Sequence, residues 1–210
     1  MNTQTEQKNQ LRQRRTQAER RSETQLKVLK SARKLFGERG YSNTSLEDIA
    51  QDCDMTIRPI YHYFNSKIGL FSAVTEQYET ELLDMMKAGE SPGNAERNFL
   101  NWEKFVDICQ NKAFRQIVLV DSPNILGRDR WVDSEVTTAA IRRMLFVFKK
   151  GDASSIEENL LMGRMVLAAM TEAAVYIGEH DDVHVASVTA NQLIQKMIQV
   201  IETQTDRNDQ

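Results

Sequence analysis

The sequence predicts an all-α chain of about nine helices, and three observations carry that prediction. Its 210 residues hold only 3 prolines and 9 glycines, while Leu, Ala, Met, Glu, Gln, Lys and Arg are plentiful. That balance suits helices, which proline breaks and glycine weakens. Apolar residues recur at steps of three and four along most of the chain, the mark of a helix buried on one side. No alternating run bounded by turn residues reads as a strand, and there is no internal repeat or low-complexity segment.

The elements follow in order. Residues 1–16 are polar and aperiodic and contain "RQRR" at 12–15, a flexible basic arm. From about residue 17, Leu26, Leu29, Ala32, Leu35 and Phe36 mark one face of an amphipathic helix. It stops at "GERGYSNTS", where Gly37, Gly40 and Asn43 interrupt the pattern. A short second helix covers 45–53, with Leu46, Ile49, Ala50 and Cys53 inward and either Thr44 or Ser45 as its cap. "DCDM" makes a tight turn, and a third helix covers 56–64. Thr56 is its expected N-cap, with Pro59 in the first turn, where an N–H has no helical partner. Ser66 caps a fourth helix to about residue 87, with Leu70, Phe71, Val74, Tyr78, Leu82 and Met85 on its buried side. "KAGESPGN", residues 87–94, collects two glycines and a proline and is the clearest internal boundary. Beyond it the pattern predicts helices at 95–110, 112–120, 128–149, 155–179 and 184–203, separated by "DSPNILG", "KKGDASS" and "HDD". The chain therefore divides into the arm, a front unit at 17–68 with a linking helix to about 87, and a rear unit at 88–210.

Charge follows the same division. The whole chain has a net charge of −3, but residues 1–68 hold 13 Lys+Arg against 8 Asp+Glu, and the remainder 14 against 22. A basic front and an acidic rear point to two jobs, the first involving a polyanion. Cys53 and Cys109 match no metal or redox spacing and read as two reduced thiols acting as small hydrophobes. His180 and His184 are four apart, but they lie at a helix junction with no third ligand, so neither a metal nor a cofactor is expected. There is no glycine-rich phosphate loop, nucleophile elbow or Cys/His set, and catalysis is not expected. No apolar run looks long enough to cross a bilayer, and the Arg-rich first twenty residues lack an apolar leader core, which predicts a cytoplasmic protein.

The chemistry concentrates in "CDMTIRPIYHYFNSK", residues 53–67. Two short helices joined by a turn make a helix-turn-helix, whose second helix can lie in the major groove of DNA with its N-terminal residues at base edges. Arg58 can then donate two hydrogen bonds to a guanine, and Ile57 can meet a thymine methyl. Tyr61 and Tyr63 suit flanking phosphates, and His62 suits sugar-phosphate or neighbouring protein. Thr44 or Ser45 at one helix start, Thr56 at the next and Lys67 beyond can serve phosphates through hydroxyl, ammonium and helix-terminal N–H groups. Ile60 and Phe64 should face inward. Three consecutive helical residues, Tyr61, His62 and Tyr63, sweep about 200° around the axis, more than so short an element can bury.

The stretch "VLKSARKLFGERGYSNTSLEDIAQDCDMTIRPIYHYFNSKIGLF", residues 28–71, resembles the N-terminal domain of the tetracycline-repressor (TetR) family of regulators. Matching positions are Ala32, Leu35, Phe36, Gly40, Tyr41, Thr44, Ser45, Ile49, Ala50, Tyr61, Tyr63, Phe64, Lys67, Leu70 and Phe71. Two departures stand out: Asp54 replaces the usual turn glycine, and Ile57-Arg58-Pro59 replaces small polar residues at the start of the recognition helix. For the rear, the resemblance implies a helical regulatory domain that dimerises and often binds a small molecule.

The residues agree with that implication. "NLLMGRMVLAAMTEAAVYIG", residues 159–178, is apolar on nearly every side, and Gly163, Ala169, Ala173 and Ala174 allow close helix approach. The last helix carries Val185, Val188, Leu193, Ile194, Met197, Ile198 and Ile201, a wide stripe. Pairing these two helices with their symmetry mates predicts a four-helix interface that includes Met170, Ala174, Leu193, Met197 and Ile201. Arg164 and Glu172 argue against a membrane span there. "AFRQIVLVDSPNILGRDRW", residues 113–131, resembles more loosely one branch of TetR-family C-terminal domains. Trp102, Phe105, Phe114, Trp131, Met144 and Met165 are candidates to line an effector cavity, as well as ordinary core residues. Arg115, Asp121 or Glu172 could orient the polar end of such an effector. The expected protein is a homodimeric regulator, a repressor released from a palindromic DNA operator by a small apolar or aromatic effector. The alternative is a DNA-bound adaptor controlled by a protein partner.

Overall fold

The structure, a computed structural model, describes residues 17–88, 102–127, 129–130, 133–148 and 156–207, and no strand occurs among them. Helix α1 (Gln17–Arg39) buries Val28, Ser31, Ala32, Leu35 and Phe36, an i, i+3, i+4, i+7, i+8 stripe. Leu26, expected on that stripe, is instead exposed. Helix α2 (Leu46–Asp52) is capped by Ser45, which settles the choice between the two candidates. The Asp48 N–H donates to Ser45 Oγ at 3.0 Å, and the Ser45 N–H donates back to the Asp48 carboxylate at 2.8 Å.

The turn out of α2 explains the missing glycine. The Met55 N–H donates to Ala50 O at 2.8 Å and the Asp54 N–H to Gln51 O at 3.2 Å, the paired bonds of a Schellman cap. That cap needs a left-handed residue, and Asp54 supplies it at φ 53°. A side-chain-bearing residue pays about 1–2 kcal/mol there, aspartate somewhat less. Asp54→Gly is therefore expected to raise stability by about 0.5–1 kcal/mol after glycine's extra chain entropy is offset. A thermal midpoint equal to or below that of the parent would refute this account of the turn.

Helix α3 (Arg58–Phe64) starts later than expected, with Ile57 at the cap position and no side-chain cap. The reason lies in Pro59. With Thr56 as cap, its hydroxyl would need an N–H two or three residues on, and the third carries none. Pro59 still occupies the first turn. Helix α4 (Lys67–Ala88) has the Gly69 N–H donating to Ser66 Oγ at 3.1 Å, as expected of a cap there. It buries Leu70, Phe71, Val74, Tyr78 and Leu82, but Met85 is exposed, a correction to the expected stripe. Arg33 forms a bidentate pair with Glu81 and lies 3.8 Å over the Tyr78 ring, clamping α1 to α4.

The boundary expected at 87–94 lies almost wholly outside the described residues. Helix α5 (Trp102–Cys109) precedes a composite α6 spanning 112–125. Lys112–Phe114 is α-helical, Arg115–Asp121 is π-helical and Ser122–Ile125 is α-helical again. The expected stop at the Asp-x-Pro step does not occur: Asp121 and Ser122 keep helical backbone angles and carry the helix on through Pro123. The break comes at Gly127, φ 95°. Helices α7 (Glu135–Phe148), α8 (Ile156–Glu179) and α9 (Val183–Arg207) complete the chain.

A contiguous core runs from Val28 in α1 to Ile194 in α9, so front and rear share it. Gly37 permits a close approach between them: a Cβ there would stand 2.3 Å from the Ala113 Cβ. Helix α8 corrects another expectation, since residues Leu160–Glu179 are long and apolar enough to cross a bilayer by length and composition. Arg164 and Glu172 interrupt that stretch, and Val166, Leu167, Met170, Ala174 and Ile177 are buried in the protein. Cys109 is buried too, and that burial pushes its thiol up to about 12, as suits an inert small hydrophobe.

Candidate DNA-binding interface

Helix α3 packs against α1 and α4 and shows its outer side to solvent. Ile60 anchors the inner side with no exposure, and Phe64 packs against the core. Arg58, Tyr61 and His62 are exposed, Tyr61 at 51%. Tyr63 is half-buried, its ring edge-on to His62 at 4.8 Å. The wide aromatic sweep is thus divided, with Tyr61 and His62 outward and Tyr63 lying along the flank. Ile57 is half-buried and packs against the core. Thr56 is exposed on the approach to α3.

Beside α3 an open groove is lined by Ser42, Asn43, Ser45, Tyr61, Ser66 and Lys67, among others. The buried Thr44 holds its rim: the hydroxyl reaches Gly40 O at 2.9 Å and Leu35 O at 3.2 Å. Thr44 is therefore a structural residue of the α1–α2 loop, and the expectation that its hydroxyl meets phosphate is corrected. Ser42, Asn43 and Ser66 were not legible as groove residues, because nothing in their own spacing reports where the loop folds back.

The supporting charges are local. Asp52 accepts from Lys34 Nζ at 2.7 Å and from Ser31 Oγ at 2.8 Å, which ties the end of α2 to α1. Those two hydrogen bonds, Lys34's first, hold the Asp52 carboxyl below its ordinary value. Ser45 does the same for Asp48. Both contributions are complete above the ordinary carboxylate range and are lost as pH falls through the depressed values. Lys67 places its ammonium 4.1 Å over the Tyr41 ring. Desolvation pulls its pKa down, and the Asp121 charge opposes that.

Comparison with known proteins agrees with this geometry. Residues 28–74 match the family model described as "Bacterial regulatory proteins, tetR family". Residues 96–201, half of the chain, match "Tetracyclin repressor-like, C-terminal domain". The chain belongs to the tetR family. Among curated tetR-type relatives, it is 32% identical to the uncharacterized HTH-type transcriptional regulator YuxN of Bacillus subtilis over 41% of this chain and 31% of that one. It is 23% identical to the uncharacterized HTH-type transcriptional regulator YerO of the same organism, over 75% of this chain and 58% of that one. The matched stretch spans less than two thirds of either relative. A TetR-family transcriptional regulator from Pectobacterium atrosepticum superposes with a TM-score of 0.65 at 23% identity, covering 89% of this chain and 97% of that one. NalD, the secondary repressor of the MexAB-OprM multidrug efflux pump in Pseudomonas aeruginosa, gives 0.57 at 18% identity over 85% and 96%. At these identities the superpositions show a shared fold.

The tetR-type rear treats the remaining candidates unevenly. Phe105 and Phe114 are buried members of the common core, and Phe114 packs edge-on against Tyr78 at 5.5 Å. Met165 is 63% exposed, which corrects its assignment to a cavity wall. Trp131 and the side chains of Trp102, Met144 and Ile201 lie outside the described residues. Arg115 donates to Cys109 O and Gly178 O and Asp121 accepts the Tyr41 N–H, so these two have other occupations than orienting an effector, and Glu172 is exposed to solvent. Met170 and Ala174 are buried within one chain and cannot meet a partner, a correction to the expected interface. Leu193 and Met197 remain exposed, with Leu160, Leu161, Met165, Tyr176, Val185 and Val188 also uncovered on α8 and α9.

Proposed function

We propose that this chain binds a two-fold-symmetric DNA operator as a homodimer, in the cytoplasm and on the nucleoid, and represses transcription until a small apolar or aromatic effector releases it. Arg58 and Tyr61, exposed together on the outer side of α3 above an anchored Ile60, carry the DNA-binding part of this reading. Family membership supports a regulator rather than an enzyme. Two copies of α3 must then meet half-sites spaced by about 34–36 Å or multiples of it. An effector acts by binding better to the dimer whose spacing no longer fits, and it shifts the balance only by that difference in affinity.

Selecting genomic fragments with the purified protein tests this directly: a recurring palindrome is the expected result, and recovery of unrelated sequences would refute it. On the selected duplex, Arg58→Ala should cost about 1–3 kcal/mol and relax the preference at one base pair. Fluorescence anisotropy with selected and scrambled duplexes reads this out. Equal losses on both would rule out base reading by Arg58.

A DNA-bound adaptor steered by a protein partner is the second reading. It is favoured by the uncovered apolar residues of α8 and α9 and by the packing of Phe105 and Phe114 into solid core.

A further inference from the structure

We propose that Asp121 is a positioning residue for DNA binding that acts through Lys67, and that the π-helical stretch Arg115–Asp121 sets where it stands. The proposal rests on the DNA-binding reading and adds a route by which the rear helices reach the phosphate side of the site.

Asp121 is the last residue of the π-helical stretch. Its Oδ2 accepts the Tyr41 N–H at 2.8 Å, a contact across 80 sequence positions. The Tyr41 ring, packed edge-on to Phe71 at 5.0 Å, carries the Lys67 ammonium at 4.1 Å on its face. Tyr41 is thus held from two sides by groups of different origin, a carboxylate from α6 and a cation from α4. The loop is shaped for this arrangement. Gly40 turns at φ 78°, and a Cβ there would meet Gln116 Nε2 at 3.3 Å and Asp121 Oδ2 at 3.5 Å. The same Lys67 lines the open groove beside Tyr61. One ammonium therefore stands between a carboxylate of the rear and the surface assigned to DNA phosphate.

The other end of the π-helical stretch is also tied. Arg115, its first residue, donates to Gly178 O at 2.8 Å and to Cys109 O. A Cβ at Gly178 would fall 2.1 Å from Arg115 Nε, so the close approach of guanidinium to helix requires glycine. Gly178 lies in the last turn of α8, the helix that offers Leu160, Leu161, Met165 and Tyr176 to a second copy. The π-helical stretch thus spans from the pairing helix to the loop behind Lys67. π turns, bonded i to i+5, are rare and concentrate at functional sites. Loss of one residue of register on conversion to α-helix would swing Asp121 by about 100° and take it off Tyr41.

The charge of Asp121 draws Lys67 toward the Tyr41 ring and away from phosphate. Asp121→Asn removes that charge but keeps an oxygen for the Tyr41 N–H. It should tighten binding to selected and scrambled duplexes alike by about two- to fivefold, the range of one exposed charge pair. The slope of log affinity against log salt should steepen by up to about 0.9, one further cation neutralised. In a Lys67→Met background the same change should have no effect. The cycle is read by anisotropy at two salt concentrations, with circular dichroism melts confirming fold. Asp121→Ser, which removes the charge with a shorter side chain, serves as the second variant if the asparagine protein is unstable. An equal gain in the Lys67→Met background would overturn the proposal, since Asp121 would then act on DNA directly as a repelling charge. Unchanged binding on the parent background would overturn it as well. Failure of the DNA-binding reading looks different: the parent protein would bind neither duplex.

Discussion

Replacing Phe71 with alanine is expected to lower the stability of this chain by about 3–5 kcal/mol, as for the loss of a buried aromatic ring from a close-packed core. The ring has no exposure and lies edge-on to Phe36 at 5.2 Å and to Tyr41 at 5.0 Å. Burial of such a side chain contributes about 1.5–3 kcal/mol, and each aromatic pair adds about 0.5–1.5 kcal/mol. The remainder comes from a cavity that α1 and α4 cannot close, because Arg33 and Glu81 clamp them together further along. With a urea slope of about 2 kcal/mol per molar, the midpoint should fall by about 1.5–2.5 M. Phe71→Leu, which keeps most of the volume, should recover most of the loss. A drop below about 1 kcal/mol for the alanine variant would mean that the front and rear do not unfold around a common core.

Leu193→Glu is expected to turn the dimer into a monomer and to abolish high-affinity binding to a palindromic duplex. Leu193 is 56% exposed on α9, next to the buried strip Ala186, Ala190 and Ile194 that packs inside the chain. Burying each leucine in a dimer gains about 1.5–3 kcal/mol, and a two-fold interface counts it twice. A glutamate there forfeits that gain and adds the cost of desolvating two like charges. Sedimentation at micromolar concentration checks the oligomeric state, and anisotropy on full and half operators checks the consequence. A monomeric parent, or a variant still dimeric with unchanged binding, would remove α9 from the interface. Melting temperature should fall with loss of the partner subunit and stop depending on protein concentration.

Much of the fold is legible in the sequence. The stripe Val28, Ala32, Leu35 and Phe36, the inward Ile60 and the run Leu70, Phe71, Val74, Tyr78 and Leu82 are periodic, and periodicity reports which side of a helix is buried. The Ser66 cap and the turn at Asp54 are legible because caps and turns are local chemistry, whereas local chemistry leaves Thr44 and Ser45 as equal candidates and misplaces the cap of α3 at Thr56. Arc length alone requires that Tyr61, His62 and Tyr63 are not all buried, and the fold decides that Tyr61 and His62 are the outward pair. Periodicity does not say what covers a buried side. The apolar pattern alone puts Met170 and Ala174 against a second chain and Met165 on a cavity wall, yet the first two pack within their own chain and Met165 is exposed. Thr44 carries a hydroxyl suited to phosphate, and only the fold shows it spent on Gly40 O and Leu35 O.

By itself, the sequence determined the helices, their buried stripes, the helix-turn-helix and the family, because each depends on residues within a few turns of one another. Tertiary structure alone decided that α6 carries a π-helical stretch and runs on through Pro123, and that Asp121 reaches Tyr41 across 80 positions. It also decided which apolar residues of α8 and α9 remain uncovered. Those outcomes depend on how close two distant segments come, as at Gly37 against Ala113 and Gly178 against Arg115, and no local pattern encodes that distance.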